Sequence, residues 1–227
     1  DVIHAAVKND LERLKQLHAE GADLGAMHGS GVTPLTESAW MGSLLTVEYL
    51  LENGVDANSR KGDSTTVLGL ATMNNQAGVV DLLLEHGARA TEPELAGWVR
   101  GWSPWGLAIR DGREAVVEAM LKGGVSPESL ASDSYPIWVA GWKNYTGVAR
   151  LLIEAKCKVD VVGGPKTSPL YEFAQQGNAE AIQVLLRAGA NPKRAPEGST
   201  PTSRAVDVNC VECVKLFLNA GVSANEA

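Results

Sequence analysis

The feature that most constrains this chain is a period. Segments L-L-E-N-G-V-D-A-N (50–58), L-L-E-H-G-A-R-A-T (83–91), M-L-K-G-G-V-S-P-E (120–128), L-I-E-A-K-C-K-V-D (152–160), L-L-R-A-G-A-N-P-K (185–193) and F-L-N-A-G-V-S-A-N (217–225) are versions of one another. Their landmark positions, Gly21, Gly54, Gly87, Gly124, Lys156, Gly189 and Gly221, are spaced 33, 33, 37, 32, 33 and 32 residues apart. A unit this short cannot bury its own apolar face, so neighbouring units must stack and bury it between them. Distance along the sequence then becomes distance in space.

Each unit carries a second landmark: T-P-L-T from Thr33, T-V-L-G from Thr66, S-P-W-G from Ser103, Y-P-I-W from Tyr135, S-P-L-Y from Ser168 and T-P-T-S from Thr200. Thr or Ser followed by Pro fits a helix N-cap with Pro at the first helical position, where its missing N–H costs nothing. The first helix runs through small residues such as Ser38-Ala39, Ala71-Thr72, Ala108-Ile109 and Ala140-Gly141, then breaks near Gly42, Gly112, Asn144 or Gly177. A second helix follows with apolar residues at helical spacing, as in Val79, Val80, Leu82, Leu83 and Leu84, or Ala181, Ile182, Val184, Leu185 and Leu186. The glycine after it is a helix stop, and the polar stretch beyond crosses as a turn to the next unit.

The pairing of T-P-L-x with L-L-x-x-G-A-D-x-N resembles the ankyrin repeat over nearly the whole chain. The resemblance implies an all-α ankyrin-repeat solenoid of helix-turn-helix units joined by β-turn or hairpin fingers. It implies a single domain, 1–227, divided into a half-repeat cap (1–26) and units 27–59, 60–92, 93–128, 129–162, 163–194 and 195–227. The sequence departs from the pattern at several places. Unit 93–128 carries an insertion around Glu94 to Gly97 and puts Trp105 where the family has its core Leu. Trp138 replaces the usual His, and Lys156-Cys157 replaces Gly-Ala. The last unit has Thr202 and Ser203 at usually apolar and His positions, as a polar terminal cap would, yet ends in the Gly221-Val222-Ser223-Ala224-Asn225 form that leads into another repeat.

Composition narrows the function classes. With 227 residues, 44% hydrophobic, 21% charged and a net charge of −7, the chain reads as a soluble globular protein. The acidic balance argues against nucleic acid, whose affinity rests on Lys and Arg neutralising phosphates. No apolar run approaches the roughly 18 residues needed to span a bilayer, and Asp1-Val2-Ile3-His4 has no leader pattern, although a removed signal peptide stays open. Three cysteines do not form a disulfide framework, so a reducing, cytoplasmic setting and a monomer are the expectations.

No catalytic constellation is legible. His4, His18, His28 and His86 precede Cys157, Cys210 and Cys213 by whole repeats, which keeps a Cys-His nucleophile from forming. Cys210-Val211-Glu212-Cys213 lacks the second ligand pair of a zinc site. Its expected role is structural, with Cys213 as a small apolar helix residue and Cys210 near the surface. Gly163-Gly164-Pro165-Lys166 lacks phosphate-loop spacing. Neither metal nor cofactor is expected.

The resemblance implies protein recognition on a concave surface of turn tips and exposed first-helix positions. The tip residues would be Val32, Thr65, Trp102, Ser134, Thr167 and Ser199. The helix positions would be Trp40-Met41, Met73-Asn74, Arg110-Asp111, Trp142-Lys143, Gln175-Gln176 and Asp207-Val208. Five of the six tryptophans fall between Trp98 and Trp142. Trp105 and Trp138 take core positions, Trp98 is undecided, and Trp40, Trp102 and Trp142 fall at contact positions. Large exposed apolar residues mark interaction sites, and Trp and Arg are enriched at binding hot spots. The candidate site is therefore Trp40, Met41, Met73, Trp102, Arg110, Trp142 and Lys143, unless the loop around Leu95 folds over it.

The leading expectation is a non-catalytic module that holds a protein or peptide in a groove. Three alternatives stay open: an inhibitor or immunity-type protein that blocks a dedicated enzyme or toxin, an aromatic-cage reader of a methylated ammonium, and the ankyrin portion of a larger enzyme. Arg110 stands where an acidic residue would help a bound cation, which counts against the cage.

Overall fold

The structure, a computed structural model, describes residues 1–29, 31–95, 100–129, 134–164, 166–194 and 199–223. Among them lie fourteen helices in seven consecutive pairs: α1 (Val2–Val7) and α2 (Leu11–Ala19), α3 (Pro34–Met41) and α4 (Leu44–Glu52), α5 (Val67–Met73) and α6 (Ala77–Glu85), α7 (Pro104–Arg110) and α8 (Glu114–Lys122), α9 (Pro136–Lys143) and α10 (Thr146–Glu154), α11 (Pro169–Gln175) and α12 (Ala179–Arg187), α13 (Pro201–Asp207) and α14 (Val211–Asn219). The chain divides into two compact units, Asp1–Ala108 with Ala115–Val125, and Ile109–Glu114 with Ser126–Ala227.

Local chemistry sets these boundaries. Thr33 and Thr36 form a reciprocal capping box at α3, and Thr200 and Ser203 form another at α13, each with Pro at the helix start. The Thr66, Ser103 and Ser168 hydroxyls accept from the N–H groups of Gly69, Gly106 and Tyr171. Tyr135 has no such bond, so α9 starts on Pro136 alone. The first helices end at left-handed residues, Asn9, Gly42, Asn75, Gly112, Asn144, Gly177 and Asn209. Gly and Asn bear that conformation at the least cost. Lys156 takes up the left-handed turn that glycine supplies after the other second helices.

The core follows the helix pattern. In the first unit Leu14, Leu35, Leu50, Leu68, Leu83, Trp105 and Met120 are fully buried; in the second, Leu152, Phe173, Leu185 and Phe217 are. The β-structure of the described residues consists of isolated bridge positions, among them Arg60 with Thr66 and Gly163 with Thr167 at the bases of two fingers.

One register position explains much of how neighbouring repeats lock together. It is the place of the family's His, filled here by Thr36, Gly69, Gly106, Trp138, Tyr171 and Ser203. Trp138 is buried and reaches into the following repeat, where its Nε1 donates to Thr167 Oγ1 at 2.9 Å and its ring lies against Gly163 and Gly164. A side chain at either glycine would overlap the indole. Tyr171 repeats the theme with its hydroxyl 3.5 Å from Ser199 Oγ.

At Gly69 the space is filled from outside. The Glu94 carboxylate, fully buried, accepts from the Thr66 N–H at 2.9 Å and from the Thr66 hydroxyl, with the Arg60 guanidinium 3.6 Å away. Its Oε1 occupies the place a Cβ on residue 69 would take. Glu94 is also the hinge of the insertion: its N–H donates to the Trp102 carbonyl at 2.8 Å, and its own carbonyl accepts from Gly101 N–H at 2.9 Å. The inserted loop is thus closed at its base by one residue whose side chain plugs the neighbouring repeat. Leu95 beyond it is exposed, and residues 96–99, Trp98 included, lie outside the described residues.

Candidate partner-binding surface

Two groups of exposed apolar side chains stand out, one in each unit. In the first unit Trp40 is 44% exposed and Met41 56%, and Leu44 and Leu45, at the start of α4, are 47% and 65% exposed. Four large apolar residues within six positions of sequence face solvent. The α3–α4 break at Gly42 in left-handed conformation places them. Leu44 and Leu45 were not in the sequence-derived set, because the amphipathic pattern of α4 does not reveal which of its first-turn leucines stays uncovered.

In the second unit Trp142 is 48% exposed. Its ring stacks on the Trp138 indole at a centroid distance of 5.9 Å and an interplanar angle of 10°. Since Trp138 is held by Thr167, Trp142 rests on a fixed platform. Lys143 Nζ lies 4.1 Å from the Trp142 ring centroid, a cation–π contact.

The other candidates sit differently. Trp102 and Met73 are half-buried and pack on Leu107. Arg110 is half-buried, with its fork on Asp111: Nε to Oδ1 is 2.7 Å and Nη2 to Oδ2 is 3.0 Å. Of the tip positions, Thr65 and Thr167 are buried, contrary to the expected exposure. Thr167 is drawn in because its hydroxyl sits between the Trp138 indole and the Glu172 carboxylate. Thr65 is folded under its finger, with its N–H on Asp63 and its carbonyl on Lys61 N–H. Trp105 and Trp138 are buried, matching their core positions.

Among the described residues two carboxyl groups are buried, those of Glu94 and Glu172. Burial pushes the Glu94 carboxyl above the usual range despite its bonds from Thr66 and the nearby Arg60. Burial does the same to Glu172 against its contacts with Thr167 and Trp138. A carboxyl raised in the folded state holds its proton more tightly there than in the unfolded chain. The resulting stabilisation is complete below the unfolded value, about 4.3 for Glu, and is lost as pH rises through the folded value. Denaturation midpoints measured across that window are expected to fall with rising pH, and the Glu94→Gln, Glu172→Gln double variant is expected to flatten that fall. Equal slopes in both proteins would contradict the assignment.

The cysteines require a correction. Cys213 is fully buried and Cys210 half-buried, but the two form a disulfide rather than standing as separate thiols. The reason is positional: Cys210 is the N-cap of α14 and Cys213 the third helical residue, so their Cα atoms lie 5.3 Å apart, within bridging range. Cys157 is free, and its thiol is pushed up to about 12 by burial and the nearby Glu128 carboxylate. Thiol titration in denaturant is expected to count one reactive group without reductant and all three cysteines of the chain with it. Three without reductant would show the pair to be a dithiol. In the folded protein Cys157 is expected to react slowly at pH 8, as only the thiolate attacks.

Seven helix pairs at this period, four of them opening on Thr/Ser-Pro, correspond to a known family. The profile described as "Ankyrin repeats (3 copies)" matches residues 2–94 and 137–227. The chain belongs to the ankyrin-repeat family. The human ASB11 ankyrin repeat domain superposes with a TM-score of 0.73 at 27% identity, covering 98% of each chain. The ankyrin repeat domain-containing protein SAT10 of Stachybotrys chartarum is 28% identical over 205 residues, covering 88% of this ankyrin chain and 10% of that protein. The tyrosine-protein kinase Shark of Drosophila melanogaster is 30% identical over 169 residues, 71% of this chain and 17% of its own length. The chain thus spans between a tenth and a fifth of these two relatives. Ankyrin repeats generally mediate protein–protein interaction. Among the described residues no helix is long and apolar enough to cross a membrane.

Proposed function

We propose that this ankyrin array is a non-catalytic interaction module that captures a protein or peptide partner through the exposed ends of its first helices. The observation that carries the reading is the exposure of Trp40, Met41, Leu44 and Leu45 together on one unit, seconded by the Trp142 platform on the other. Apolar patches of this kind are costly for a protein that meets nothing. Indoles fixed before binding lose little side-chain entropy on contact.

Trp40, Met41, Met73 and Trp102 are the contact candidates of the first unit, and Arg110, Trp142 and Lys143 those of the second. In this reading Trp40 and Trp142 carry most of the energy, whereas Met73 and Trp102, packed on Leu107, support the neighbouring surface. The net charge of −7 favours a basic target over an acidic one, through steering rather than raw affinity.

Affinity capture with the wild-type chain tests the reading, with a Trp40→Ala, Met41→Ala variant as the control. A single stoichiometric partner, lost with the variant, supports a dedicated inhibitor. Several partners sharing a short motif support a general scaffold. Retention of every captured protein by the variant would sink the proposal.

A further inference from the structure

The last helix pair differs from the inner ones at positions whose role the array itself defines. The sixth residue of the first helix is Ala39, Thr72, Ile109, Gly141 and Ala174 in the inner units, and all five are buried. Gly141 shows what covers this position: a Cβ there would meet the Pro169 backbone and Glu172 Cβ, the opening turn of the next repeat's first helix. The matching residue of α13 is Val206, which is 52% exposed.

The second helix repeats the contrast. Its fourth position is buried in Val47, Val80, Val117, Ala149 and Ile182, while Val214 is half-exposed. Its eighth position grades the same way: Leu51 is buried, Leu84, Leu121, Ile153 and Leu186 are partly buried, and Leu218 is 41% exposed. The expectation of a polar terminal cap does not hold. Thr202 is fully buried, and Ser203 is turned back into the α13 capping box, so neither dresses the outer face. Val206, Val214 and Leu218 thus put three uncovered apolar side chains in the register of an inter-repeat surface.

The backbone leaves α14 as it leaves the inner second helices. Gly221 is left-handed, Val222 is buried, and the Val222 N–H donates to the Phe217 carbonyl at 3.1 Å, as Val55 does to Leu50 at 3.1 Å. In the inner units this exit sends the chain into the next finger.

We infer that the face made by Val206, Val214 and Leu218 seats a further helix pair of the same repeat type, carried by the same polypeptide on its C-terminal side. A solenoid repeat contacts only its neighbours, and an end repeat that closes an array needs a polar outer face. Here a helix pair opening in Thr/Ser-Pro supplies the backbone surface against which Val206 fits, as Pro169 does for Gly141. This surface is separate from the partner-binding candidates, so the two readings stand or fall independently.

The test compares the full-length polypeptide with the 227-residue chain by hydrogen exchange of the α13–α14 amides. The reading frame is expected to continue into another repeat. There Val206→Asp, and the milder Val206→Ser, are expected to lower α13–α14 protection tenfold or more, while leaving it unchanged in the 227-residue chain. A frame without a further repeat, or a substitution silent in both proteins, would overturn the inference. Loss of protection in the short chain as well would place Val206 in the core of its own unit and overturn it too. Concentration-dependent dimerisation of the short chain that Val206→Asp abolishes would give the face to a second copy instead.

Discussion

Replacing Trp138 by Ala is expected to lower the free energy of unfolding by about 3–5 kcal/mol, the range for truncating a large buried aromatic. The substitution removes the ring that fills the space above Gly163 and Gly164 and the Nε1 donor to Thr167. It also weakens the surroundings of the buried Glu172 carboxylate, which Thr167 contacts from the other side. A buried carboxylate whose partner shifts is costly in its own right. Trp142, stacked on the same ring but half exposed, provides the internal control: Trp142→Ala is expected to cost less than about 1 kcal/mol, as surface substitutions usually do. Urea denaturation of both variants checks this. Similar midpoint shifts for the two would mean that Trp138 is not the lock between its repeat and the next.

Gly69→Ala is expected to destabilise by about 1–3 kcal/mol through overpacking, although Ala is intrinsically the better helix residue by about 0.5–1 kcal/mol. The reason is Glu94, whose carboxylate fills the space of the missing side chain. A methyl group there forces it off Thr66 and away from Arg60. In a Glu94→Ala background the obstacle is gone, and the same Gly69→Ala step is expected to become neutral or stabilising by the helix-propensity amount. The cycle therefore predicts a change of sign, the signature of direct coupling. An equal cost in both backgrounds would remove Glu94 from the explanation.

The repeat and its helix pairs were legible because glycine, proline and hydroxyl caps mark their boundaries in the sequence, at positions set by backbone conformation. Trp105 and Trp138 were legible as core residues because register alone assigns them a buried place. Glu94 was not. Its carboxylate meets Thr66 across 28 residues of sequence, and the signal that could have found it is the pairing of a missing side chain at Gly69 with an insertion in the next unit. Thr65 and Thr167 read as exposed tips because their position says so, but hydrogen bonds to particular neighbours pull them in. Leu44 and Leu45 read as ordinary helix leucines, since exposure depends on what the adjacent repeat fails to cover. Cys210 and Cys213 read as separate thiols, because the N-cap placement that brings them together is a property of the folded helix start.

In the proposed interaction module Trp40 and Trp142 are contact residues and Trp138 is not. The direct measurement is the Trp40→Ala, Trp142→Ala double variant, titrated against the captured partner and melted in parallel. Loss of two hot-spot indoles, at about 2 kcal/mol or more each, predicts affinity reduced by roughly a thousandfold with the melting temperature nearly unchanged. Unchanged affinity, or a collapse of the melting temperature that accounts for the lost binding, would contradict it.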